Sequence, residues 1–175
     1  MEYKMNSRIT TGGVAHIAKF IEQDLQLRDT PLYKKHIEGI ADIAASIIVS
    51  KSCNSGDIIP ILPRKCDVKS KERYISRILS NELIKVPEVM NGYIPDLMTI
   101  QKNNDRTVVL MLDQTKIADN FECLMISMQA GERAIPVLWK VCKTEGSIGF
   151  NVQQKLLDEV KAMIVAQVPK AFDKK

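Results

Sequence analysis

What this sequence lacks narrows its possible functions. Cysteine is sparse and dispersed: Cys53, Cys66, Cys123 and Cys142 form no CxxC pair, and only His16 and His36 could assist them. A structural zinc site needs clustered ligands at short spacing, so these residues are expected to be reduced, partly buried thiols. Long apolar runs are also missing. The longest, "IADIAASIIV" at 40–49, carries Asp42 and falls far short of the roughly 20 residues a membrane helix requires. The opening "MEYKMNSRITTGG" is polar and no apolar stretch follows it directly, so it does not resemble a signal peptide, and the chain is read as cytoplasmic with no membrane partner. Neither GxGxxG nor GxxxxGK[ST] occurs; "TGGVAH" opens a helix but has no lysine and no preceding strand. Repeats and low-complexity tracts are absent. What remains is an ordinary globular composition, 45% hydrophobic and 26% charged over 175 residues, enough for one domain or two small ones.

Charge is informative by position. Residues 64–85, "RKCDVKSKERYISRILSNELIK", hold Arg64, Lys65, Lys69, Lys71, Arg73, Arg77 and Lys85 against Asp67, Glu72 and Glu82. That excess equals the whole +4 of the chain, and the other residues balance. The positive field therefore has one source.

Periodicity assigns helices to the first hundred residues. Val14, Ile17, Ala18, Ile21 and Leu25 make one apolar stripe, predicting a helix of about 14 residues. Thr30 as cap and Pro31 in the first turn predict a second helix, with Ile37, Ile40, Ala44 and Ile47 on its inner face and an end near Ser50. "KSCNSGD" reads as a turn, and "IIPILPRK" as extended or irregular because of Pro60 and Pro63. A third helix is expected from about Ser70, turning Tyr74, Ile75, Ile78 and Leu79 inward. Lys69, Arg73 and Arg77 then fall one turn apart on a basic ridge, at about 6 Å spacing, which suits consecutive phosphates. A plain solvated face would look the same. The segment 86–105, broken by Pro87, Gly92 and Pro95, reads as a linker or domain junction ending near Asp105.

After the junction the period changes. "TVVLMLD" is a continuous apolar run, expected to be a strand buried on both faces at the centre of a sheet and to end at Asp113. "FECLMISMQA" and "RAIPVLWKV" follow as strands joined by a tight turn at Gly131 and Glu132. Pro136 places the third strand at a sheet edge or on a bulge. A helix over about 151–164 presents Val152, Leu156, Val160, Met163 and Ile164 inward, with Asp158 and Glu159 pointing away. The fold class expected is α+β.

A carboxylate closing a central strand is costly to desolvate. Asp113 should either stand at the sheet rim beside a cation, magnesium being the natural hard ion for oxygen ligands, or cap the following turn with Thr115.

The order "VVLMLDQT", a polar spacer, "LMISMQAGERAIPVLWKV" and an amphipathic helix resembles the DDE insertion-sequence transposases, bacterial cut-and-paste enzymes with an RNase H-like core. The resemblance spans roughly residues 30–164. It implies a helical DNA-end-binding region over 1–100 and a partial RNase H-like domain over 101–175, built from a three-stranded meander and one packing helix. Asp113 then matches the first catalytic, metal-binding aspartate and Thr115 the hydroxyl two positions on. Gln114 departs from the aromatic residue often found there. "KSKERYISRILSN" is similar to the segment that contacts the transposon end, so Lys65, Lys69, Arg73 and Arg77 are implied to hold the DNA backbone.

In the family a second aspartate and a glutamate follow on later elements, and the parent enzyme uses two Mg2+ ions. Here Asp173 follows "VPKAF", a poor strand, and Glu132, Asp158 and Glu159 are wrongly placed to share a metal with Asp113. The resemblance thus implies the N-terminal portion of a transposase, not competent for cleavage alone, cytoplasmic and nucleoid-associated. Its implied partners are transposon-end DNA and either another copy or the full-length enzyme. Two other functions are open: a non-catalytic DNA-binding or inhibitor protein, and a small α/β structural or protein-binding domain.

Overall fold

The computed structural model describes residues 11–28, 30–102, 107–144 and 146–172. The expectations placed on the opening residues, on Asp105 and on Asp173 lie outside them. The chain forms two compact units, 1–84 and 85–175, and its class is α+β.

The first unit contains four helices: α1 (Thr11–Leu27), α2 (Lys34–Ser50), α3 (Ser55–Ile61) and α4 (Val68–Leu79). α1 follows its predicted stripe, burying Val14, Ala18 and Leu25. α2 begins later than Thr30 and Pro31 suggest, with Tyr33 at its N-cap and no side-chain cap bond. It buries Ile37, Gly39, Ala41, Ile43, Ala45 and Ser46, while Ile40, Ala44 and Ile47 of the expected stripe are only half-buried, because α1 packs on one side and α3 and α4 on the other. Gly39 is required by this arrangement: a Cβ there would come within 2.8 Å of Ile78 Cγ1 on α4, and closer still to its Cδ1.

The proline argument against a helix at 55–61 fails. Asn54 caps α3 by accepting from the Gly56 amide at 3.0 Å, and Pro60 sits near the far end, where it removes a single hydrogen bond. Burial of Ile58, Ile59 and Leu62 with Ile43 and Ile75 outweighs that loss. α4 starts at the Asp67 cap. It buries Ile75, with Tyr74 and Ile78 half-buried beside it, whereas Leu79, expected inside, is 72% exposed.

In the second unit, the segment expected to be a linker carries two short helices, α5 (Val86–Met90) and α6 (Ile94–Lys102). Pro87 occupies the first turn of α5, where a missing amide costs nothing, and Ile94, Leu97 and Met98 of α6 are core residues. Three strands follow, β1 (Leu110–Ala118), β2 (Phe121–Ala130) and β3 (Arg133–Lys143), and then α7 (Phe150–Phe172), which runs past its expected end. The sheet is an antiparallel meander in the order β1-β2-β3. Leu124, Ile126 and Met128 of β2 pack with α6 and with Leu156, Val160 and Met163 of α7. Pro136 is both on an edge strand and at a bulge, where the register shifts between Ile126 and Ser127. Gly131, with φ +62°, makes the expected turn, and Asn120, with φ 62°, makes the other.

β1 departs from expectation in two respects. The strand begins three residues later than the apolar run and continues five residues past Asp113, and it is an edge strand, exposed along most of its length. Among the described residues, no helix is long and apolar enough to cross a membrane.

Candidate nucleic-acid interface and the Asp113 strand

α4 presents a stripe of polar side chains to solvent. Lys69, Arg73 and Arg77 follow one another at single-turn spacing and all are exposed. Among the described residues, no carboxylate comes within ion-pair distance of any of the three. Arg73 and Arg77 line an open groove of about 500 Å3 together with Ser70 and Ser76. Lys65 is exposed in the connection from α3 to α4. The four residues assigned to DNA by sequence are therefore brought onto one helix and the loop leading into it.

The other basic residues nearby have internal duties. Arg64 Nε donates to Asp42 Oδ2 at 2.8 Å, and its guanidinium lies 3.8 Å over the Tyr74 ring. Tyr74 donates its hydroxyl proton to the same carboxylate oxygen at 3.0 Å. This triad ties α2, the α3–α4 connection and α4 together. Burial, reinforced by the negative charge of Asp42, pushes the Tyr74 hydroxyl up to about 12. Burial opposes ionisation of Arg64, but the hydrogen bond to Asp42 together with the charges of Tyr74 and Asp42 outweighs it, and the guanidinium holds its proton more tightly than usual. Lys71 reaches back to the Pro60 carbonyl at 3.4 Å. Sequence reasoning missed the triad because Asp42 is only an interruption in an apolar run, and its partners are 22 and 32 residues away.

Asp67 closes the start of α4. Its carboxylate accepts from the Ser70 amide at 3.0 Å and from the Ser70 hydroxyl at 2.6 Å, which lowers its pKa from the ordinary value. The amides opening α4 face a resident anion, so α4 meets other anions through its side chains.

Asp113 lies mid-strand in β1, opposite Met125, and is exposed. Strand alternation puts it with Thr115 on the face opposite Leu124, Ile126 and Met128, away from the helices of this unit. Thr115 Oγ1 donates to Asp113 Oδ2 at 2.9 Å. Nearby on that face is Cys123, whose thiol is pushed up by burial first and then by the charges of Cys142 and Asp113. Among the described residues, no three His, Cys, Asp or Glu side chains gather as a metal site would require. Asp113 and Thr115 supply two oxygen-bearing side chains where magnesium takes six ligands, so these residues alone do not fit that ion.

Gln114, the departure from the family pattern, has a structural task. Its Oε1 accepts from the Ile148 amide at 2.9 Å, fastening the β3–α7 connection to β1, while its Nε2 donates to Glu122 at 3.4 Å. Glu132, Asp158 and Glu159 are exposed on a turn and on the outer side of α7.

Compared with models of protein families, with curated proteins and with solved structures, the chain matches none.

Proposed function

We propose that this chain binds duplex DNA through α4 and the loop before it, as the end-binding part of a cut-and-paste transposase. The observation that carries the reading is the basic stripe Lys69, Arg73 and Arg77, without carboxylate partners among the described residues and with Lys65 in the loop before it, on a helix held in place by the Asp42–Arg64–Tyr74 contacts. Unpaired cations one turn apart exchange counterions for phosphates without first breaking a salt bridge. Support for the transposase part is the antiparallel meander followed by a packing helix, which agrees with the start of an RNase H-like core, and the hydroxyl of Thr115 beside Asp113. β1 has an open edge on which such a core could add strands.

A non-catalytic DNA-binding protein is the second reading, favoured by the lack, among the described residues, of any cluster of three His, Cys, Asp or Glu side chains around Asp113. No cleavage step is assigned to this chain, because among the described residues no group completes a metal site. Gel-shift titration of the full chain against duplex DNA at low salt tests the shared claim. Binding that is lost in the Arg73→Ala, Arg77→Ala double variant supports it, and no retardation by the unmodified chain refutes it. A plasmid-nicking assay with Mg2+ separates the two readings. Robust nicking abolished by Asp113→Asn would contradict a chain that binds without cutting.

A further inference from the structure

α2, α3 and α4 pack against one another in all three pairings around Ile43, Ile58, Ile59, Leu62 and Ile75. α4 is the outermost in chemical character. It buries one side chain fully, and Lys69, Arg73, Ser76, Arg77 and, just beyond its end, Ser80 are exposed with half-buried Ser70 among them, while Val68, Glu72 and Leu79 are exposed as well. Serines between arginines keep the profile of the helix low. A helix of 12 residues, about 18 Å long and with serines between the cations of its outward face, is narrow enough for the roughly 12 Å major groove of B-form DNA.

We propose that α4 enters the major groove and that Arg73 and Arg77 read guanine edges there, while Lys65 and Lys69 hold flanking phosphates. This inference rests on the DNA reading above and goes further, because it assigns base recognition to two residues that the charge pattern alone would give to the backbone. Three features favour it. The roll of α4 about its axis is fixed from behind, by Ile75 in the core and by Tyr74 on Asp42, so the two guanidiniums are held outward. Both line the same open groove and neither has a carboxylate partner among the described residues, leaving their planar donor forks available for the O6 and N7 acceptors of guanine. The N-terminus of α4 is occupied by Asp67, which removes the usual reason for a helix to meet a phosphate end-on. Four residues separate the arginines, a rise of about 6 Å, so the guanines they read should lie within about two base pairs of each other.

The test is enrichment of duplexes from a random pool by the full chain, followed by titration of the enriched duplex. Variants Arg73→Lys, Arg77→Lys and Lys65→Ala are compared, with thermal unfolding as a folding control. The expected result is an enriched sequence containing guanines whose replacement by 7-deazaguanine weakens binding. Arg73→Lys, which keeps the charge but loses the fork, weakens binding to that duplex by about 10-fold or more and weakens binding to random DNA far less. Lys65→Ala weakens both alike. Unchanged binding by both lysine variants, or no enriched sequence while DNA is still bound, overturns base reading and leaves backbone binding standing. Equal affinity for duplex RNA of the same sequence also overturns it, since the deep, narrow major groove of A-form RNA does not admit side chains. No binding to any DNA at low salt overturns this inference together with the function it rests on.

Discussion

At the scale of the residue, the first unit depends on one shared carboxylate oxygen. Asp42 Oδ2 accepts from both Arg64 and Tyr74, and its side chain is only 14% exposed. Replacing Asp42 with alanine leaves a guanidinium and a phenol facing a partly buried gap, and should lower unfolding free energy by about 1–3 kcal/mol, measured by urea titration. The tyrosine provides a pH signature. Its pKa rises from an ordinary 10.0 to about 12 on folding, so the protonated phenol is favoured in the folded chain. That contribution is complete below pH 10 and is lost as the pH climbs through 12. The melting temperature of the protein minus that of Tyr74→Phe should therefore shrink across this window, and a constant difference would refute the coupling. In the second unit, Gln114→Leu strips the Ile148 amide of its acceptor. A loss of about 1–3 kcal/mol is expected, with faster hydrogen exchange at Ile148.

At the scale of the element, the close contact of α2 with α4 is the most sensitive packing feature. Gly39→Val drives two methyl groups toward Ile78 and should cost about 1–3 kcal/mol by overpacking, read from the urea midpoint. It should also weaken DNA binding, since α4 is seated on this contact. Elements with a single strong period were legible in the sequence: α1, the body of α7, β2, and the β2–β3 hairpin with its turn at Gly131 and its irregularity at Pro136. Others were hidden for identifiable reasons. α3 was obscured because Pro60 forbids a long helix but spares a seven-residue one. α5 and α6 are short and punctuated by Pro87, Gly92 and Pro95, so their burial becomes visible only when the sheet they cover is in place. β1 was misplaced because an apolar run alone does not tell a central strand from an edge strand. Its polar half, Asp113 to Lys116, continues the ladder through backbone bonds that no side-chain pattern announces.

At the scale of the whole molecule, the clustering of the net charge in residues 64–85 was readable from the sequence, and the structure divides those charges by role. Arg64 and Lys71 turn inward to hold the helices, while Lys65, Lys69, Arg73 and Arg77 remain free of carboxylate partners among the described residues. The candidate site on α4 was therefore legible as to its cations. Its scaffold was not, because the Asp42 contacts span 22 and 32 residues. Asp113 shows the opposite case: the pairing with Thr115 follows from strand alternation, but the exposure of the strand is a property of the sheet as a whole.

The central claim, that these outward cations bind DNA, is tested most directly by the salt dependence of duplex affinity for the full chain, followed by fluorescence anisotropy. The logarithm of affinity should fall linearly with that of salt, with a slope of about −2 to −4, and the slope should flatten by about two in Lys65→Ala, Lys69→Ala. A flat dependence, or a slope unchanged by removing both lysines, would contradict it.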